Sequence, residues 1–254
     1  NTKLCFLCFI FTRGNYAKQL LLIKRLRALG HTVKVAVGGT LLTALSDILS
    51  EIQKEIGIDF FLGQFHENLN HYDVCSQILS SGITINKYKF DFAVLVGDRY
   101  ELLSAATICL LGNIKILHIE GGERSGSIDE GIRHAITKLA HLHATSNNEA
   151  RNYVISLGEH PDNIINAGSP NLDWIKIYLD ELGNKDLTLF SMDNKTLNPK
   201  KENYAVLIHH PTMYQKQKYE KELKNIIDQY LNYSNNKLIV VSPNLDADSL
   251  DFWM

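Results

Sequence analysis

Asp98 and Glu120 are the residues of this sequence best placed to move protons. Each follows an apolar run, Phe90 to Val96 and Ile116 to Ile119, and each stands beside a glycine, in Gly97-Asp98 and Glu120-Gly121. Two carboxylates converging on one cleft of low dielectric take up separate acid and base roles, and a group of this kind contributes about 10²–10⁴-fold to a proton-transfer step. The plainer alternative is a pair of solvated loop acids. Arg13 and Arg99 also stand just past apolar runs, and guanidinium forks grip phosphate oxygens bidentately. Their alternative is pairing with a neighbouring acid, Glu101 in the case of Arg99. A third carboxylate, Asp129, opens a helical pattern together with Glu130. Acids there also serve the helix dipole, while Arg133, one turn on, shares the face of Asp129 and is spaced to orient it. The glycines Gly121, Gly122 and Gly126 let backbone approach a ligand closely.

The histidines and cysteines raise the question of a metal. His141 and His143 have a spacing that permits chelation from one strand face, but no third ligand follows at a definite spacing, so backbone hydrogen bonding is the reading adopted. Cys5 and Cys8 spell CxxC inside Leu4 to Ile10. Three apart on a strand, their side chains point to opposite faces, which suits neither a bridge nor a metal. They read as core residues in a reducing compartment, the cytoplasm. No P-loop, no GxGxxG after a strand and no GxSxG is present, so nucleoside-triphosphate hydrolysis, NAD chemistry and serine esterase chemistry find no support.

The elements that must carry these residues alternate. Leu4 to Phe11, Thr32 to Val37, Phe90 to Val96 and Lys115 to Ile119 read as strands; Lys18 to Leu29, Leu41 to Ile56 and Tyr100 to Leu111 read as helices. Runs apolar on both faces and separated by helices predict an α/β fold whose parallel sheet is covered on both sides. In such sheets ligands bind beyond the carboxyl ends of the strands. After a helix over Leu172 to Leu179 and a polar stretch from Asn184 to Asn203, the rhythm restarts: strand Tyr204 to Ile208, helix Tyr219 to Tyr230, strand Lys237 to Val241. The strand-end residues there are His209, His210, Asn244 and Asp246. This predicts two Rossmann-like domains, one over residues 1–172 and one beginning at 204, joined by a helix and linker over 173–203. The second reads as incomplete, because two strands and one helix do not make a covered sheet.

The composition agrees with a globular chain. In 254 residues, 45% hydrophobic and 21% charged residues suffice for a core and exclude disorder. The balance of 26 Lys plus Arg against 28 Asp plus Glu gives a net charge of −2, which argues against a nucleic-acid partner but leaves room for a local anion pocket. No apolar run reaches the roughly 18–20 residues of a membrane span, and Leu4 to Phe11 lacks the flanks of a secretory signal.

Taken together, Gly97-Asp98-Arg99, the run His118-Ile119-Glu120-Gly121-Gly122-Glu123, the run from Ile128 to His141 (IDEGIRHAITKLAH) and Ala167-Gly168-Ser169-Pro170 resemble the hydrolysing UDP-N-acetylglucosamine 2-epimerases. The likeness is strongest from Phe92 to Pro170, and the IDxxIRHAITK run is its specific part. The resemblance implies the two-Rossmann, glycosyltransferase-B-like fold, UDP-sugar bound in the cleft, no metal or other cofactor, and a homodimer or homotetramer. It nominates Asp98, Glu120 and Asp129 as the acid/base set, and Arg13, Arg99, His210, Asn244 and Asp246 as groups on the nucleotide side. It implies loss of UDP, removal of the proton at carbon 2, and hydration of the resulting glycal to N-acetylmannosamine for sialic-acid-type biosynthesis. The same chemistry on a UDP-2,4-diacetamido-trideoxy sugar, toward legionaminic-type acids, is the alternative, and an inactive fragment or nucleotide-sugar-binding protein is the alternative of another class. One departure stands out: where the family's first loop carries Arg-Ala-Asp-Tyr, this sequence has Arg13-Gly14-Asn15-Tyr16.

Overall fold

A computed structural model describes residues 2–42, 46–65, 70–183, 189–190, 196–209, 216–234 and 236–241. The chain divides into two units, residues 1–180 and 181–254.

The first unit is built on a seven-stranded, all-parallel sheet. Its strands are β1 (Cys5–Ile10), β2 (Thr32–Gly38), β3 (Phe60–Leu62), β4 (Phe92–Val96), β5 (Lys115–Ile119), β6 (Leu142–Thr145) and β7 (Ile164–Asn166), in the order β3-β2-β1-β4-β5-β6-β7. The helices are α1 (Arg13–Ala28), α2 (Ser46–Glu55), α3 (His71–Ile85), α4 (Tyr100–Leu111), α5 (Ile128–Leu139), α6 (Asn148–Ser156) and α7 (Pro170–Leu182). Strand order runs outward from β1 to β3 and then resumes on the other side of β1, so the topological switch lies between β1 and β4. That crevice, at the carboxyl ends, is where a doubly wound sheet takes its ligand.

Alternation along β1 shows why both faces are covered. Phe6, Cys8 and Ile10 join one core with Tyr16, Leu20 and Ile23 of α1 and Ile48, Leu49 and Ile52 of α2. Leu7, Phe9 and Phe11 join the other, with Val74 and Ile78 of α3, Leu102 and Cys109 of α4, and Ile136 of α5. Each fully buried side chain of this size contributes roughly 1.5–3 kcal/mol. Cys8 is one of these core residues; burial pushes its thiol up to about 12, which keeps it protonated and inert.

Two boundaries differ from the sequence expectation for physical reasons. The helix expected from Lys18 begins at Arg13, because Thr12 caps it: its side-chain oxygen accepts from the backbone N–H of Asn15 at 3.1 Å. Where a single helix from Leu41 to Ile56 was expected, Gly39–Leu42 form a 3₁₀ turn and Ser46–Glu55 an α-helix. Strand β3, helix α3, strand β6, helix α6 and strand β7 complete the sheet and its cover in places where no element was expected.

The second unit holds β10 (Tyr204–Ile208), parallel to β11 (Lys237–Val241) and joined to it through α8 (Lys216–Tyr233). Ahead of them, β8 (Leu189–Phe190) and β9 (Thr196–Leu197) pair antiparallel inside the stretch expected to be a linker. Among the described residues, no helix is long and apolar enough to cross a membrane.

Candidate active site

The carboxyl ends of β4 and β5 lie side by side. Val96 is registered with Ile119, and the backbone N–H of Gly97 donates to the carbonyl of Ile119 at 3.0 Å. Asp98 and Glu120 therefore emerge from neighbouring strand ends, and Asp98 borders the switch crevice.

Glu120 is the more constrained of the two. Its φ of +63° lies in the left-handed region, which a residue with a Cβ enters at a cost of order 1–3 kcal/mol. Its surroundings hold it there. The backbone N–H donates to the carbonyl of Ala144 at 2.9 Å; Lys18 of α1 meets Oε2 at 2.5 Å, and the Ser169 hydroxyl donates to Oε1 at 2.8 Å. The carboxylate is thus clamped between a helix on one side of the sheet and the turn that precedes α7.

Asp98 is held from the opposite direction. Arg133 of α5, whose side chain is only 7% exposed, donates from Nη2 to Oδ2 of Asp98 and from Nη1 to the carbonyl of Glu123 at 2.5 Å. The Asp98 side chain keeps 29% of its surface open. Asp129 stands half-buried in the first turn of α5, one turn before Arg133 on the same face. The loop leading into that helix is closed by Glu130, whose Oε2 accepts from the backbone N–H groups of Ser125 at 2.5 Å and Gly126 at 2.6 Å. Those two donors hold the Glu130 carboxyl below the usual glutamate range, so Glu130 serves the loop.

Behind both strand ends lies His118, fully buried. Its Nε2 lies 2.8 Å from the carbonyl of Gly97 and its Nδ1 3.1 Å from the Thr137 hydroxyl. Burial, more than any neighbouring charge, pushes its pKa down to about 4, so the ring is neutral and Nε2–H donates to Gly97. The folded value lies below the value of about 6.5 in the unfolded chain. Between those limits the unfolded state binds a proton that the folded state refuses. The corresponding stability is complete above pH 6.5 and is lost as the pH falls toward 4, by up to about 3 kcal/mol. Urea unfolding at stepped pH should show this slope, and His118→Gln should flatten it; equal slopes in the two proteins would contradict the assignment.

The two arginines expected on the nucleotide side differ in setting. Arg13 is exposed at the first residue of the sixteen-residue α1, whose first turn holds no acid, an arrangement suited to an anion. Arg99 pairs with the fully buried Glu101, at 3.1 Å from Nε and 3.2 Å from Nη2, which is the pairing that the sequence had set against phosphate binding. Asn15 is buried; its amide donates to the carbonyl of Val96 at 3.1 Å. An ionised aspartate has no proton to donate there, so the amide at this position ties the first loop to the end of β4. His210, Asn244 and Asp246 lie outside the described residues.

The two histidines of the HxH pair turn to different partners: His141 Nδ1 accepts from the backbone N–H of Ile116 at 3.3 Å, and the buried His143 lies 3.4 Å from Glu159. Sequence reasoning did not single out Lys18, gave Ser169 no role of its own, and did not foresee that Arg133 reaches Asp98. A signal for Lys18 did exist: it falls three residues after Asn15, within the opening turns of a helix that follows a strand, where side chains overlie the carboxyl edge of a sheet.

Comparisons with known proteins bear on the family and the fold. The chain is 31% identical over 222 residues to the GDP/UDP-N,N'-diacetylbacillosamine 2-epimerase (hydrolyzing) of Campylobacter jejuni, covering 85% of this chain and 56% of that protein. It is 33% identical over 157 residues to the UDP-N,N'-diacetylbacillosamine 2-epimerase (hydrolyzing) of Legionella pneumophila, covering 62% and 40%. The chain thus spans about half the length of the curated relatives it matches. Its fold is that of the Neisseria meningitidis UDP-GlcNAc 2-epimerase bound to UDP-GlcNAc, with a TM-score of 0.79 over 97% of this chain and 70% of that one at 18% identity. The family model described as UDP-N-acetylglucosamine 2-epimerase matches residues 26–251, and the chain belongs to that family.

Proposed function

We propose that this chain carries the acid/base centre of a hydrolysing UDP-sugar 2-epimerase. The observation that carries the reading is the pair of carboxylates at adjacent strand ends beside the topological switch, each fastened by a cation from a different helix: Asp98 by Arg133 and Glu120 by Lys18. The reaction asks for such a set. The bond from carbon 1 to the UDP oxygen breaks, a carboxylate takes the proton from carbon 2, and a glycal with a double bond between these carbons remains. Water then adds its oxygen to carbon 1 while carbon 2 is protonated on the other face. Elimination and hydration leave the overall oxidation state of the sugar unchanged, and what they require is proton transfer at one carbon and stabilisation of the departing diphosphate. Asp98, Glu120 and Asp129 form the proton-transfer set in this reading. Arg13, exposed at the head of α1, and Arg99 serve the diphosphate in this reading.

Two sugars fit this chemistry. UDP-N-acetylglucosamine would yield N-acetylmannosamine for sialic-acid-type biosynthesis. The names of the C. jejuni and L. pneumophila relatives favour a second reading, a UDP-2,4-diacetamido-2,4,6-trideoxy sugar. Incubation of the chain with each UDP-sugar, followed by phosphorus and proton NMR, separates them. The expected result is free UDP together with a reducing sugar inverted at carbon 2, from one substrate in preference to the other. A sugar released with its carbon 2 configuration retained, or no release from either, would contradict the proposal.

A further inference from the structure

We infer that Arg133 is the positioning residue for Asp98, fixing that carboxylate at the proton-transfer centre. The inference rests on the function proposed above and adds to it a residue whose part was not legible from its own helix. Three elements meet at this guanidinium. It projects from α5, reaches Asp98 at the end of β4, and holds the carbonyl of Glu123 in the loop after β5 at 2.5 Å. Glu123 is fixed in turn, because its carboxylate accepts from the hydroxyl of Ser146, just past β6, at 2.5 Å. The Thr137 hydroxyl lies 3.0 Å from the backbone carbonyl of Arg133 and 3.1 Å from Nδ1 of His118, and it has one proton for these two acceptors.

Energetics argue against stability as the reason for this arrangement. Desolvating a guanidinium costs several kcal/mol, and a buried ion pair often contributes no more than apolar residues of the same volume. What the pair does supply is geometry. A planar fork that donates in two directions fixes both the orientation of Asp98 and its distance from the glycine-rich loop, while 29% of the Asp98 side chain stays open to a substrate. Displacing a reacting group by about 1 Å is enough to cost on the order of 10²-fold in rate.

Arg133→Lys tests the fork. A lysine keeps the charge beside Asp98, but its single ammonium cannot reproduce the two fixed directions. With whichever UDP-sugar the wild-type chain turns over, kcat should fall about 10- to 100-fold, with KM within threefold and a cooperative thermal melt. Arg133→Met should lose more. The reading that distinguishes positioning from support is non-additivity: in an Asp98→Asn background, Arg133→Lys should lower kcat no further. A wild-type chain inert toward both UDP-sugars overturns the functional reading and this inference together. An active wild type overturns the inference alone if Arg133→Lys stays within threefold in kcat, or if it lowers kcat equally in both backgrounds. Should Arg133→Met fail to fold, Arg133→Lys still decides, because it leaves Asp98 with a cation.

Discussion

Asp98→Asn should lower kcat by about 10²–10⁴-fold while leaving the affinity for UDP within a few-fold of the wild type. The substitution keeps the shape of the side chain, and the amide oxygen still accepts from Arg133, so the ion-pair site becomes a hydrogen-bonded one and the fold survives. What disappears is the capacity to take up and release a proton. UDP affinity is the control, since in the proposed arrangement the nucleotide is held by Arg13 and its companions rather than by Asp98. Turnover of the UDP-sugar by coupled UDP detection and UDP binding by calorimetry check the two halves. A variant retaining more than a tenth of wild-type turnover would remove Asp98 from the acid/base set.

The second large effect is on stability. Gly122→Ala should destabilise the chain by roughly 2–5 kcal/mol, the sum of a left-handed backbone penalty and an overpacked contact. Gly122 has φ +85°, and a Cβ there would press into the backbone carbonyl oxygen of Ala150 and lie 2.6 Å from Val154 Cγ2. Both partners belong to α6, and the first is backbone, which has no rotamer with which to yield. Either the helix or the loop must move, and the loop is the one that carries the Glu123 carbonyl to Arg133. Urea unfolding measures the loss; a change below about 1 kcal/mol would show that the approach of loop to helix is looser than described.

How much of this was legible beforehand follows from the physics of each part. The ends of β4 and β5 were readable because strands buried on both faces are continuous apolar runs, and Lys115–Ile119 is observed with the bounds expected of it. Helix α4 was likewise observed over Tyr100–Leu111 as expected. Helix α3 was not read, because its sequence HYDVCSQILSSGITI mixes serine, glycine, threonine and β-branched residues that weaken a helical pattern. Strands β3 and β7 are three residues long, too short to show a period. The candidate carboxylates were nominated from position alone, but their partners were not. Lys18 lies 102 residues from Glu120, and Arg133 lies 35 from Asp98. No local pattern encodes such a contact; only the sheet order brings these pairs together. The early start of α1 has a local cause instead. Gly14 and Asn15 are poor helix formers in an interior, yet at a first turn capped by Thr12 they are no obstacle.

The central claim is that this site removes and restores a proton at carbon 2 of a UDP-linked sugar, and solvent deuterium reads that step directly. The chain is incubated in D₂O with UDP-N-acetylglucosamine or its diacetamido analogue, and the freed sugar is examined by NMR at carbon 2. The account predicts one deuterium at that carbon, inverted configuration, and UDP released in equal amount. Protium at carbon 2 in the freed sugar would mean that the bond to UDP is cut without the glycal, and would contradict it.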